Sequence, residues 1–296
     1  MFGPPLELAP HWQGWLGSVK TEKLTRAGLT LIALCPSDHP EVLDDENRLL
    51  TEHAFSIFMG LLMCEVFRFD GGLIISGANN GGHTDVRSLA DLEPHLMPSA
   101  VPSKAIGQLA IERANLIASG LRQISSKRDV YERLQRGVRA WRRGLQQIYG
   151  EDRLHQFVRA LEAVVKPETG RSAKLFTHRC QVFAGTSDAA RGLLSELYRM
   201  RSLAEHMNPI EPVLAAYPAD DREQVVQRRT YQAQILASHV LEQILTRADV
   251  LAIFDSDAHI EDFWKKRRMD EQQKTWGHPI DLEALAGARL LIPPGA

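Results

Sequence analysis

The sequence is short of the features that would place it in several broad classes. Its three cysteines, Cys35, Cys64 and Cys180, are widely spaced, odd in number and without Cys-x-x-Cys spacing. That argues against a disulfide framework and a cysteine-based structural zinc site, and it fits a reducing cytoplasm. No run approaches the roughly 18 apolar residues of a membrane span, and Met1-Phe-Gly-Pro-Pro-Leu-Glu7 has no basic segment followed by an apolar one. Neither membrane insertion nor secretion is expected. Net charge is also scarce, at −2, so any contact with nucleic acid has to come from local patches rather than from the overall field. What is plentiful is apolar content, 44% of 296 residues, enough for one large domain or two moderate ones.

The first hundred residues read as a separate α+β unit. Trp12 and Trp15 flank a glycine, and the apolar run from Leu24 to Leu34 has the pattern of a strand. Asp44, Asp45 and Glu46 supply the acidic start of a helix that carries Phe55, Phe58, Met59, Leu62 and Met63. Gly72-Leu-Ile-Ile-Ser-Gly77 reads as a buried strand entering the glycine- and asparagine-rich loop Ala78–His83, which is either a plain turn or a surface that faces a ligand or partner. Pro94, Pro98 and Pro102 mark a boundary, so residues 1–100 form the first unit.

From there the pattern is helical. Ile106, Leu109, Ala110, Leu116 and Ile117 repeat at three- and four-residue steps, and a second helix is expected over 129–149. In that second helix Arg133, Arg136, Arg139 and Arg143 recur at the same steps and gather charge on one face. Such a stripe is either solvated and paired with carboxylates or a binding surface for phosphate, whose geometry suits guanidinium forks. Further helices are expected at 154–165, 173–183, 189–207 and 220–247, so the fold class is mainly α, a helical bundle with a smaller α+β N-terminal unit. Asp255, Ser256 or Asp257 reads as a helix cap rather than a metal site, Lys265–Arg268 is cationic, and residues 269–296 read as a C-terminal extension, irregular beyond Gly277. No metal or other cofactor is called for.

The most informative stretch is Leu194–His206. Ser187 and Asp188 can cap its helix, Pro209 ends it, and Ala190, Leu193, Leu197, Met200 and Ala204 form one apolar stripe. Arg201 lies on that stripe, roughly 40° from Leu197 on an ideal helix, so it points at packed neighbours and needs an acceptor, for which Glu205 stands four residues on. His206 sits at the helix end and favours the C-terminal dipole.

Arg201 and His206, with four residues between them, match the Arg-x4–6-His signature of the HEPN family (higher eukaryotes and prokaryotes nucleotide-binding). Leu197-Tyr198-Arg199-Met200-Arg201-Ser202 with His206 resembles the Leu-Tyr-x-x-Arg-Ser-x-x-x-x-His form of its Apea-like branch, in which serine after the arginine is usual. Phe157-Val-Arg-Ala-Leu-Glu-Ala163 and Lys174-Leu-Phe-Thr-His-Arg179 with Phe183 resemble two preceding helices of that branch, so the likeness covers roughly residues 100–265 and implies a HEPN-like helical domain over 101–268. The resemblance implies a metal-independent endoribonuclease, used as a toxin or defence effector, in which His206 moves protons while Arg201 stabilises phosphate charge during attack by the 2′-OH. It further implies a homodimer with a composite site, RNA as substrate, an antitoxin or regulatory protein as partner, and Arg199 and Ser202 as RNA or phosphate contacts. The same resemblance allows a non-catalytic scaffold that dimerises or binds a nucleotide or protein, with Arg201 and His206 as structural hydrogen-bonding residues. One helix alone separates Arg201 and His206 by about 140° around its axis, so catalysis needs a second chain or a distorted helix end.

Overall fold

The computed structural model describes residues 8, 10–36, 45–67, 69–80, 83–95, 101 and 105–291. The helices are, in chain order, α1 (Pro10–Thr25), α2 (Asp45–Cys64), α3 (Gln108–Ser126), α4 (Glu132–Gln146), α5 (Gly150–Val165), α6 (Ser172–Ala184), α7 (Asp188–Glu205), α8 (Glu211–Leu214), α9 (Arg222–Thr246), α10 (Ala248–Leu251), α11 (Asp257–Lys266), α12 (Met269–Trp276) and α13 (Ala286–Leu290), and the periodicities read over 129–149, 154–165, 173–183, 189–207 and 220–247 correspond to α4, α5, α6, α7 and α9. Between α2 and α3 lies an antiparallel hairpin, β1 (Gly72–Asn80) and β2 (His83–Leu92), whose register shifts at Ser76/Gly77. The protein is mainly α, as the patterning requires.

The long helix α9 runs through the centre. Its Ala233, Leu236, Ala237, Val240, Leu241 and Ile244 are fully buried, and it packs against α5, α3, α2 and α4. Two buried polar groups on this helix are satisfied internally: Trp141 Nε1 donates to Ser238 Oγ at 2.9 Å, and Gln232 Nε2 donates to the Leu282 carbonyl at 3.0 Å. A buried amide or hydroxyl left without such a partner would cost about 1–3 kcal/mol, so these bonds fix how neighbouring segments sit on α9.

Several expectations are revised. Residues 96–100 and 102–104, on which most of the proline-marked boundary falls, lie outside the described residues, but the apolar core is continuous across it. Phe58, Leu61 and Leu62 of α2 share one core with Ala114 and Ile117 of α3, and a Cβ added to Gly60 would run into the Ala114 backbone. The run from Leu24 to Leu34 is not a strand. α1 extends to Thr25 and the following residues have no regular structure, because among the described residues the only two strands pair with each other. Ala78–Asn80 and His83 belong to the hairpin strands, while Gly81 and Gly82 lie outside the described residues. The C-terminal segment is also more integral than its irregular pattern suggests, since Trp276 and Leu282 join the main core and Ala288 and Leu291 are buried against Tyr231. No helix among the described residues is long and apolar enough to cross a membrane.

Candidate anion-binding site

The α4–α5 hairpin places the basic residues. Its two helices approach closely because α4 carries glycines where α5 carries bulk: a Cβ on Gly144 would meet the Phe157 ring at 2.7 Å, and one on Gly137 would meet Ala163 Cβ at 2.9 Å. The hairpin then buries Leu134, Trp141 and Leu145 on one side of α4, which turns its arginine face outward. Arg136, Arg139 and Arg143 from α4 meet Arg159 and Gln156 from α5 around a groove of about 260 Å³ floored by Ala140.

The ionic state of this groove is unusual. Among the described residues, the one ion pair that touches it joins Arg136 to Glu132, one turn back on α4. Among the described residues Arg139, Arg143 and Arg159 are exposed and make no ion pair, although the Arg159 charge also reaches Glu162 in the neighbouring cleft, and the groove lining contains no acidic residue. Guanidiniums gathered without counter-charge repel one another, and an anion with several acceptor oxygens relieves that repulsion through charge-assisted, bidentate hydrogen bonds.

A larger cleft of about 800 Å³ adjoins the groove and shares Arg136, Ala140 and Arg159 with it. Its other walls come from residues 129–133, α5 with Pro167 beyond it, the end of α7 and the segment 254–260. Here the sign is reversed: six carboxylates line it against four guanidiniums. Arg133 donates to Asp257 at 3.1 Å, and Asp257 also takes Lys166 at 3.0 Å, so these two cations hold its carboxyl below the usual range.

Arg201 belongs to this cleft, and its environment answers the question posed by its helical stripe. α7 starts at Ser187, whose side chain accepts from Ala190 N–H at 3.1 Å, and it buries Leu193, Leu194, Leu197 and Met200. Arg201, 13% exposed, lies against that apolar face. Its Nη2 donates to Glu162 of α5 at 2.7 Å, its Nη1 pairs with Glu205, and its guanidinium rests 5.8 Å from the centre of the Tyr198 ring. Burial pushes the Glu162 carboxyl above its usual range, with Arg201 pulling against it. His155, on the same face of α5, has a buried and unpartnered Nε2, and burial followed by the charges of Arg201 and Arg159 lowers its imidazole.

His206 is elsewhere. It caps the C-terminus of α7, is exposed, and does not line the cleft that holds Arg201. Arg199 is exposed and Ser202 half-buried, and neither lines the cleft or the groove. Of the residues singled out in the sequence, the structure therefore brings together Arg136, Arg139 and Arg143 in the groove and Arg133, Arg136 and Arg201 in the cleft. His206 lines neither cavity. Asp255 and His259 contact each other at 2.5 Å, and Ser256 provides the cap by accepting from His259 N–H. Among the described residues no group of three or more His, Cys, Asp or Glu side chains is placed to hold a metal.

Sequence reasoning missed Gln156, Arg159 and the Glu162 partnership. A signal existed: Gln156, Arg159 and Ala163 are spaced three and four apart, as a helix facing the α4 stripe would require. Comparison with protein-family models, with curated proteins and with solved structures yields no match for this chain.

Proposed function

We propose that this chain is a HEPN-like helical protein that binds the phosphate groups of RNA through the α4–α5 groove, and that Arg201 is in the first place a structural residue. The observation that supports this is the contrast in pairing. Arg139, Arg143 and Arg159 converge without an ion-paired carboxylate, whereas Arg201 is largely buried between two. A guanidinium held by two carboxylates has little remaining attraction for a phosphate, while three unpaired ones have a great deal. The test is fluorescence anisotropy with a short single-stranded RNA across a salt series. Binding that weakens steeply with salt, and whose salt slope becomes shallower when Arg139 and Arg143 are replaced by Gln, supports the proposal. Binding that is unchanged by those replacements sinks it.

A second reading, metal-independent RNA cleavage, is favoured by one feature: Arg201 lines a cleft continuous with the groove, within reach of an RNA anchored there. It requires Glu162 and Glu205 to release Arg201, and it requires His206 to come from a second copy in a homodimer. Incubation of the dimer with single-stranded RNA in EDTA, read for products ending in a 2′,3′-cyclic phosphate, decides it. Cleavage that needs a divalent metal, or that survives His206→Ala, rules it out.

A further inference from the structure

The β1–β2 hairpin has two outer edges, and they differ in how they are protected. β2 carries Asp85, Arg87 and Asp91 and runs into Glu93 and Pro94, the charges and proline that keep a strand edge from pairing further. β1 has none of these. Its nine residues, Gly72–Asn80, include no charge and no proline, and among the described residues none of their backbone groups bonds outside the hairpin. Every second residue of β1 therefore turns an N–H and a C=O away from β2, where the described residues place no third strand. Two strands by themselves are marginal, and the cover here is slight: α1 rests on the hairpin through Trp12, Leu16 and Leu24 against Ile75, Val86 and Leu89, a cluster apart from the main core.

We propose that β1 pairs antiparallel with β1 of a second copy of this chain, so that two hairpins become one four-stranded sheet. The position of α1 favours a second copy over a lone extended peptide. Strands in a sheet stand about 4.8 Å apart, so two hairpins joined edge to edge have centres roughly 10 Å apart. A helix on each hairpin, placed on the same face by the two-fold axis, then meets its mate at about the 8–10 Å typical of packed helices. Trp15 and Val19 of α1, 67% and 68% exposed, supply apolar surface for that contact. An uncharged strand also meets its own copy without setting like charges opposite one another. The edge lies outside the span of roughly 100–265 over which the family resemblance runs, and it is independent of the α4–α5 groove and of the α7 motif.

The test is sedimentation velocity of the full chain over a concentration series, with amide hydrogen exchange in β1 read at both ends of that series. Dimer should form as concentration rises, and exchange in β1 should slow with it. Ile74→Lys is the variant. Ile74 alternates with Ile75 and so faces away from α1, it is part of no apolar cluster among the described residues, and lysine there is a device that protects natural edges. The dimer dissociation constant should rise about tenfold or more, since symmetry puts the change in the seam twice. If that variant fails to fold, exchange in the wild-type chain decides alone. A chain that stays monomeric at every concentration overturns the proposal, as does slow exchange of all β1 amides in the monomer, which would mean that the edge is covered within one chain. A dimer that keeps its dissociation constant in folded Ile74→Lys, with β1 exchange unchanged by concentration, is held together elsewhere and overturns the proposal too.

Discussion

The α4–α5 groove and the α5–α7 cleft share residues and are built from the same cation, yet they are in opposite electrostatic states. In the groove, Arg139, Arg143 and Arg159 are exposed and unpaired; in the cleft, Arg201 is 13% exposed and held by Glu162 and Glu205. The difference is one of carboxylate placement. α5 offers a glutamate to α7, whereas its contribution to the groove lining is Gln156 and Arg159. An arginine is therefore informative about function only with its partners in view: buried and paired, it organises helices, and exposed without an ion pair among its own kind, it keeps its charge available to an anion.

The largest expected effect is on binding, and it separates the two regions directly. Arg143→Glu removes a groove cation and adds a repulsive charge, so RNA binding should weaken by about 10²-fold or more, at about 1.5–3 kcal/mol for each charge-assisted bond lost. Arg133→Glu makes the same charge change in the cleft, where Arg133 is already committed to Asp257, and should weaken binding less than tenfold. Equal losses from the two variants in anisotropy titrations would show that only total charge matters and would break the contrast.

Next in size is the stability of the Arg201 pairing. Arg201→Met leaves Glu162, whose side chain is 16% exposed, without its cation, and should destabilise the fold by about 3–5 kcal/mol in denaturant titrations. Adding Glu162→Leu should restore most of that loss, because an apolar pair of similar volume also fills the space. A double variant as unstable as the single one would mean that the pair holds α5 to α7 in a way apolar packing cannot replace. Any loss of RNA cleavage in Arg201→Met has to be read beside this stability measurement.

How much of this was legible in the sequence follows from what is local. The pairing of Arg201 with Glu205 is an i, i+4 relation and could be read from spacing, as could the α4 arginine stripe and the Ser187 cap. Glu162 lies 39 residues before Arg201, and its role exists only once α5 packs on α7. Arg159 likewise becomes part of a groove only because Gly137 and Gly144 let two helices come together. The prolines near residue 100 suggested a division, but Gly60 against Ala114 shows a core that runs across it, and no local signal carries that contact. The glycine- and asparagine-rich run Ala78–His83 read as a loop because its residues tolerate turns, whereas pairing between the strands draws Ala78–Asn80 into β1 and His83 into β2.

Acid should separate the regions a third way. Burial, followed by the charges of Arg142 and Arg153, pulls the His95 imidazole down to about 4, and His155 and His239 are also lowered. Their unfolded counterparts take up a proton near 6.5, so the unfolded state binds more protons below that pH and stability falls as pH drops from about 6.5 toward 4, with no contribution above it. His95 alone accounts for about 2–3 kcal/mol at the acid end, and His95→Gln should flatten that part of the profile. Guanidiniums stay charged throughout, so binding in the groove should hold level between about pH 6 and 8, where the fold is intact. A binding curve that tracks a histidine titration in that range would place a histidine among the ligand contacts.

The smallest expected effect on the fold is at His206, and it gives the sharpest view of what the α7 motif does. His206 is exposed at the end of its helix, and its backbone N–H bonds the Ser202 and Ala204 carbonyls whatever side chain it carries. His206→Ala should therefore change stability by no more than about 0.5 kcal/mol, the usual range for a surface substitution, and should leave RNA binding in the groove unchanged. If the motif is catalytic, the same variant loses about 10²- to 10⁴-fold in RNA cleavage, the contribution typical of a positioned acid or base. Mixing chains that carry only Arg201→Met with chains that carry only His206→Ala then distinguishes the arrangements. A site assembled from both copies regains cleavage in the mixed dimer, because one of its two interfaces still presents an intact arginine and histidine. A site within one chain regains none, since each chain lacks one of the two. With His206 outside the cleft that holds Arg201, recovery is the expected result, and its absence in a verified mixed dimer would remove the composite site and leave α7 as a packing helix.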